Sequence, residues 1–203
     1  MDELIRNLKG SGVLKSTRVA AAFQTIDRKD FVPTEYQREA YGDYPLPIGS
    51  GQTISQPFTV AFMLDLLDPR PGEKILDIGA GSGWQTALLA CVVSEGDQKG
   101  KVHAIERIPE LCELARANIS RYGFIEQGTV ELHCGDATQG LPDKAPFDKI
   151  IAAAGASEIP RAWKEQLKTG GTIVAPVGNS IWHYEKRLHG EWNIKEFPGF
   201  VFV

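Results

Sequence analysis

The chain has 203 residues, 42% of them hydrophobic and 24% charged, with a formal net charge of −4. That length and mix suit one α/β domain, residues 1–203, with a complete core, and lie far from the composition of a disordered chain. The acidic balance offers no broad positive field for a nucleic-acid backbone, and the most apolar run, Thr59 to Leu67, contains Asp65 and falls well short of the roughly 20 residues that cross a bilayer.

The opening Met-Asp-Glu-Leu-Ile-Arg has no basic stretch followed by an apolar one, so no secretory leader is expected. From Ser16 to Asp27, Val19, Ala22, Phe23 and Ile26 recur at helical spacing behind Ser16 and Thr17 as candidate caps. The following stretch, with Pro33, Gly42, Pro45, Pro47, Gly49 and Gly51, cannot hold regular structure for long and reads as a shaped loop. Val60, Met63, Leu64 and Leu67 then mark a helix that Asp68-Pro-Arg-Pro-Gly72 ends. Residues 1–71 thus form a helical and loop region ahead of a different pattern.

That pattern, over 72–178, alternates strands and helices. Lys74–Gly79 is a nearly continuous apolar run, as in a strand buried on both faces of a parallel sheet. A helix over 82–93, a strand over 102–106, a helix over 109–122, strands over 130–134 and 147–154, a helix over 157–168 and a strand over 172–177 follow. The alternation predicts an α/β fold with a doubly wound, mostly parallel sheet. Residues 179–203 alternate around His189-Gly190 and read as an antiparallel β-hairpin at the sheet edge. Lys186 and Arg187, with His183 and His189 beside them, read as a solvated turn. Cys91, Cys112 and Cys134 contain no C-x-x-C pair that could clip a metal, and read as buried free thiols in a reducing compartment.

Leu76-Asp-Ile-Gly-Ala-Gly-Ser-Gly83 sits where the first strand of the alternation turns into its helix, the place where open α/β sheets bind ligands. A dinucleotide fingerprint begun at Gly79 needs its third glycine at position 84, which is Trp84. The G-x-G-x-G spacing suits an adenosyl site better than a pyrophosphate cradle. Glu106 closes the second strand, where a carboxylate can accept both hydroxyls of a ribose, and Asp136 follows the third, where it can accept the exocyclic amine of adenine. The alternative for the loop taken alone is a tight turn that needs glycine for steric reasons.

Asp77, Gly79, Gly81, Glu106 and Asp136 at successive strand ends resemble the Rossmann-like fold of class I S-adenosylmethionine methyltransferases. Where amino methyltransferases of nucleobases carry an Asn- or Asp-Pro-Pro-aromatic motif, this chain reads Ala152-Ala-Ala-Gly155, and no cysteine follows a proline as in cytosine C5 enzymes. The segment Ala40-Tyr-Gly-Asp-Tyr-Pro-Leu-Pro-Ile-Gly-Ser-Gly-Gln-Thr-Ile-Ser-Gln-Pro57 closely resembles the signature of the protein-L-isoaspartate O-methyltransferase family. The likeness extends to Asp30–Pro33, Gly79–Gln85, Pro146–Asp148, Glu158–Pro160, Gly170-Gly171 and Pro176–Gly178.

The resemblance implies a seven-stranded sheet, a cytosolic monomer, S-adenosylmethionine as cofactor with S-adenosylhomocysteine as product, and isoaspartyl-containing proteins and peptides as partners. It also implies no nucleic acid, membrane or metal. It places Ser55 as the active-site serine, with Thr53, Ile54, Ser55 and Pro57 at the substrate. Cofactor contacts are implied for Gln52, Thr53, Asp77, Gly79, Ala80, Gly81, Ser82, Glu106, Arg107, Asp136 and Ala137. The alternative for Ser55 is a helix cap ahead of Gln56-Pro57. Relatives carry Gly-Asp-Gly where this chain has Gly135-Asp-Ala137, and continue past the Phe-Val end with a Pro-Leu segment that covers the site. Two rival functions remain at this level: a cofactor-binding protein without turnover, and a methyltransferase of a small-molecule acceptor.

Overall fold

The computed structural model describes residues 1–155 and 157–201. Its first part holds α1 (Asp2–Gly10), α2 (Thr17–Thr25), the strands β1 (Leu46–Gly49) and β2 (Gln52–Ile54), and α3 (Pro57–Leu67). The middle part holds β3 (Lys74–Ile78), α4 (Trp84–Val93), β4 (Lys101–Glu106), α5 (Pro109–Ser120), β5 (Val130–Cys134) and β6 (Phe147–Ala152). The last part holds α6 (Arg161–Gln166), β7 (Leu167–Val177), β8 (Ser180–Lys186) and β9 (Trp192–Pro198).

Seven strands form one sheet in the order β5-β4-β3-β6-β7-β8-β9. The pairs from β5 across to β7 are parallel, and β7–β8 and β8–β9 are antiparallel. The chain moves outward from β3 through β4 to β5 and then returns to β6 on the other side of β3. The carboxyl ends of the central strands therefore meet at the switch point of an open α/β sheet, the place where such sheets form a ligand crevice. The tail of the described chain folds back on the molecule, with Phe62 of α3 packed against Phe197 and Phe200. The expected hairpin is β8–β9, and Phe202 and Val203 lie outside the described residues.

The two sheet faces are covered unequally. On one, side chains of α1 to α5 join Ile75, Val102, Ala104, Val130, Ile151 and Val174 in a core that runs from Leu4 to Ile181, so the N-terminal region and the sheet share one apolar interior. Helix α4 is sequestered by the sheet, α2 and α5; its near-absence of polar residues is the sequence mark of that position. The other face holds a smaller cluster of Leu76, Ile78, Ile105, Phe147 and Ile150 under Trp163 and Leu167. Its cover is thin because α6 runs only over Arg161–Gln166, shorter than the expected 157–168. Pro160 disfavours helical geometry at Ile159, and Leu167 already belongs to β7.

Several side chains fasten the ends of elements. Ser16 accepts from the Val19 N–H as the N-cap of α2, as expected. Asp65 Oδ1 accepts from the N–H groups of Lys15 and Ser16 at 2.9 and 2.7 Å, which ties α3 to the start of α2. The basic turn departs from its reading as solvated: Lys186 Nζ turns inward and donates to the carbonyls of Lys164 and Leu167 at the end of α6, a use of lysine that satisfies groups a helix terminus leaves open.

A second correction concerns the cysteines. Cys112 on α5 and Cys134 at the end of β5 form a disulfide with Cα atoms 5.8 Å apart, and Cys91 alone is free. The sequence separation of 22 residues carries no motif; the pair meets only because α5 packs back over β5. In a chain-entropy account a loop of that size contributes roughly 3 kcal/mol. Urea unfolding with and without a strong reductant should show this difference in stability, and Cys112→Ser should remove the response to reductant.

Candidate active site

The glycine loop owes its shape to left-handed backbone. Gly79 and Gly83 have φ of 81° and 90°, values that L side chains avoid. A Cβ on Gly79 would stand 3.2 Å from Ala154 Cβ, and one on Gly83 would stand 2.9 Å from Ile119 Cγ1. The loop is therefore pressed between the end of β6 and α5. The N–H groups of Gly79 and Ala80 donate to the Ile105 carbonyl at 2.9 and 3.0 Å, carrying the loop across the end of β4. Asn118 Nδ2 holds the carbonyl of Ser82, whose side chain is buried.

Asp77, expected at the cofactor, is instead sealed under this loop. Its carboxylate is fully buried and accepts from Gln85 Nε2 at 2.8 Å and from Thr86 Oγ1 at 2.6 Å. Burial pushes its pKa up to about 6, against the pull of those two hydrogen bonds. The group braces β3 against the first turn of α4, and reaches the crevice only through the loop it shapes.

Glu106 stands at the crevice itself. Its Oε2 accepts from the Gly81 N–H at 2.8 Å and its Oε1 from the Ile108 N–H at 2.9 Å. Each oxygen keeps a lone pair for a hydroxyl donor. The same contact disfavours a phosphate, because the loop N–H that would cradle it already serves a carboxylate and the carboxylate repels it. Asp136, past the end of β5, is exposed and set in an Asx turn: Oδ1 accepts from the Thr138 N–H and Oδ2 from the Thr138 hydroxyl. Those bonds hold its pKa below the usual carboxylate value. Trp163 Nε1 donates to the Ala137 carbonyl at 2.8 Å, fixing the next turn, and Arg107 is exposed beside Glu106. Two acids, Glu106 closing β4 and Asp136 two residues past β5, thus stand at the ends of successive strands, and the first of them holds the glycine loop.

The signature segment lies over that loop. β1 and β2 pair antiparallel, with Leu46 opposite Ile54 and Pro47 opposite Thr53, a small ribbon within what the glycine and proline content reads as loop. Ile48 Cδ1 would touch a Cβ on Gly81 at 3.4 Å, so the ribbon meets the glycine loop directly. Gln52, Thr53 and Ser55 are half-buried, while Ile54 and Pro57 are buried. Ser55 does not cap the next helix. The N-cap of α3 is Gln56, and Asp43 Oδ1 reaches across the loop to accept from the Phe58 N–H at 2.8 Å.

Arg28 is the residue that the sequence reading passed over. It is fully buried. Nη1 donates to the carbonyls of Ala40 and Gly42 at 2.8 and 3.2 Å, and Nη2 to those of Tyr44 and Ser55 at 3.0 and 3.2 Å. Its guanidinium carbon lies 5.4 Å from the centroid of Trp84. Burial lowers its pKa to about 10, with Asp43 opposing, so the group stays charged at neutral pH. A fork of donors joins both ends of the signature segment to the first residue of α4. The sequence offers only a weak signal, two cations, Arg28 and Lys29, between the core residues Ile26 and Phe31.

The comparisons with known proteins bear on this geometry. The family model described as Protein-L-isoaspartate(D-aspartate) O-methyltransferase matches residues 1–203. The chain belongs to this family. A protein-L-isoaspartate O-methyltransferase of Methanopyrus kandleri is 44% identical over 206 residues, covering 100% of this chain and 89% of that protein. A solved protein-L-isoaspartate O-methyltransferase is similar with a TM-score of 0.84 and 30% identity, over 100% of this chain and 65% of that one. A structure described as a Plasmodium falciparum member in complex with S-adenosyl-L-homocysteine shares the fold with a TM-score of 0.87 at 24% identity, over 99% of this chain and 95% of that one.

Within this isoaspartate methyltransferase scaffold, Arg28 is expected to be sensitive to conservative change. Arg28→Lys keeps a charge but cannot serve four carbonyls, and each charge-assisted hydrogen bond lost contributes about 1.5–3 kcal/mol. The variant should unfold at lower denaturant and lose most of its turnover even at temperatures where it remains folded, as followed by circular dichroism and a methyl-transfer assay.

Proposed function

We propose that the crevice at the carboxyl ends of the central strands esterifies the free carboxylate of L-isoaspartyl residues in damaged proteins and peptides, with S-adenosylmethionine as donor. The observation that carries this reading is the meeting of the signature ribbon with an acid-bordered glycine loop, through Ile48 against Gly81 and Arg28 across Ser55 and Trp84. The donor set fits a nucleoside without phosphates. Glu106 and Asp136 are acceptors for hydroxyls and an amine, and their negative charge favours a cationic ligand over a pyrophosphate.

When bound, S-adenosylmethionine supplies an electrophilic methyl group on a sulfonium. Glu106 would hold its ribose, Asp136 its adenine amine, and the backbone of Gly79 to Ser82 with Gln52, Thr53, Arg107 and Ala137 would line the rest. Asp77 acts behind them by bracing the loop. The acceptor needs no base: a backbone-type α-carboxyl titrates near pH 3–4 and is already an anion at neutral pH. The task left to Thr53, Ile54, Ser55 and Pro57 is orientation, with the Ser55 hydroxyl donating to a carboxylate oxygen and the buried Ile54 and Pro57 excluding water. Positioning of this kind can lower a barrier by several kcal/mol, and a dry site disfavours the separated charges of the reactants.

The chain is proposed to act as a monomer in the cytosol. No helix among the described residues is long and apolar enough to cross a membrane. The Cys112–Cys134 bond is unusual for a reducing compartment, so the assignment to the cytosol rests on family membership.

The deciding experiment supplies methyl-labelled S-adenosylmethionine with matched isoaspartyl and aspartyl peptides, then collects volatile methanol released in mild base. Label should come from the isoaspartyl peptide alone; label from a metabolite extract but from neither peptide would overturn the acceptor. Ser55→Ala should lower turnover by about 1–2 kcal/mol of barrier, one hydrogen bond's worth, with cofactor affinity nearly unchanged by calorimetry. Glu106→Ala should do the reverse, weakening cofactor binding by roughly 1–3 kcal/mol, and an unchanged affinity would remove Glu106 from the site.

A further inference from the structure

The thinly covered sheet face carries a second cluster of chemically capable side chains. His103 on β4 and Glu131 on β5 are direct partners in the parallel register, and His133 lies two residues farther along β5, level with Ile105. Alternation along a strand puts all three on one face, the one on which His103 packs edge-on against Phe147. Their polar atoms lie close together, one ligand atom from each residue within 4.8 Å of the others. His103 Nδ1 lies 3.4 Å from His133 Nε2 and 3.7 Å from Glu131 Oε2, and His133 Nε2 lies 3.5 Å from Glu131 Oε1. A tetrahedral zinc ion with bonds of about 2.0–2.1 Å holds its ligand atoms roughly 3.3 Å apart; the two imidazole nitrogens already stand near that spacing, and a turn of the Glu131 carboxylate would bring one of its oxygens to both.

We propose that His103, Glu131 and His133 form a binding site for a divalent transition-metal cation of the zinc type, separate from the methyl-transfer crevice. Two imidazoles and one carboxylate select such borderline ions over magnesium or calcium, which take oxygen ligands. The His103 side chain is 4% exposed and so preorganised, whereas Glu131 and His133 are 33% and 24% exposed, which leaves the fourth position to a solvent molecule. Between β5 and β6 the chain makes only the short 3-10 turn Pro142–Lys144.

Without a cation, two ammonium groups hold the carboxylate: Lys101 Nζ at 3.0 Å from Oε2 and Lys144 Nζ at 2.7 Å from Oε1. Both lysine side chains are about two-fifths exposed (41% and 39%) and can swing into water. The metal therefore competes with them, and affinity reports that competition. When filled, the site would clamp the edge strand β5 to β4, three residues before each of Glu106 and Asp136.

The test uses the full chain without a polyhistidine tag, stripped with a chelator and titrated with cobalt(II) and then zinc(II). One cobalt ion per chain should bind with the visible absorption of a four-coordinate nitrogen and oxygen site, and one equivalent of zinc should abolish that absorption and raise the midpoint of thermal unfolding. His133→Ala and Glu131→Ala should weaken binding at least ten-fold while circular dichroism stays unchanged. His183→Ala, which alters a histidine of β8, should bind as the parent does. Lys144→Ala should bind several-fold more tightly, because a competing cation is gone; this variant keeps all three ligands and serves even if the others fail to fold. Absence of stoichiometric cobalt binding by the parent, or absorption that survives His133→Ala in a folded protein, or a Lys144→Ala variant that binds no better, would each overturn the proposal.

Discussion

A buried guanidinium with four backbone carbonyls is the interaction on which the rest of the crevice depends. Arg28 sits where no water can solvate it, and a charge in that position is tolerable only if most of its donors are paired. The carbonyls of Ala40, Gly42, Tyr44 and Ser55 pair the donors of Nη1 and Nη2, while Nε lies buried without a partner. The requirement runs both ways. A segment dense in glycine and proline cannot pair its own carbonyls in a helix or broad sheet, so it takes a fixed course only because a rigid fork of donors collects them. The adjoining Trp84 ring, packed edge-on against Phe23, fixes the fork relative to α4.

Around that clamp the site is built from acids rather than bases. Glu106 consumes a loop N–H and faces the crevice, Asp136 is held in a turn at the next strand end, and Asp77 is buried behind both. Carboxylates at two successive strand ends would be a liability in an enzyme of phosphate chemistry. For a sulfonium donor and an acceptor that is already ionised they fit, since nothing must be deprotonated and the donor arrives with positive charge. Asp77 shows how such a group can serve without touching ligand: its oxygens link Gln85 and Thr86 of α4 to β3, which sets where the glycine loop can pass.

The glycine loop, the acids after two successive strands and the signature segment were legible in the sequence because each is a local pattern with a steric or electronic reason. Trp84 excluded the dinucleotide fingerprint by position alone. The limits of α6 and the role of Ser55 were less legible. Pro160 is a local signal against the longer helix, yet the start of β7 at Leu167 depends on pairing with β6. The capping of α3 by Asp43 rather than by Ser55 depends on a loop closure of 15 residues that no short window contains. Helix α1 is signalled only by the acids Asp2 and Glu3 in its first turn and Lys9 in its last, and the packing of Leu4, Ile5 and Leu8 into the main core is a tertiary fact.

What the amino-acid order determined by itself is the alternation of strands and helices, the left-handed turns that only glycine accepts, and the chemical kind of each group at the strand ends, all set by periodicity and by backbone sterics within a few residues. Tertiary structure alone decided which distant groups meet: Arg28 with Ser55, Cys112 with Cys134, His103 with Glu131 and His133, and Glu106 with Gly81. Those meetings follow from sheet order and from helices packing back over strands, and a contact between residues far apart in sequence leaves no trace in the spacing of either one.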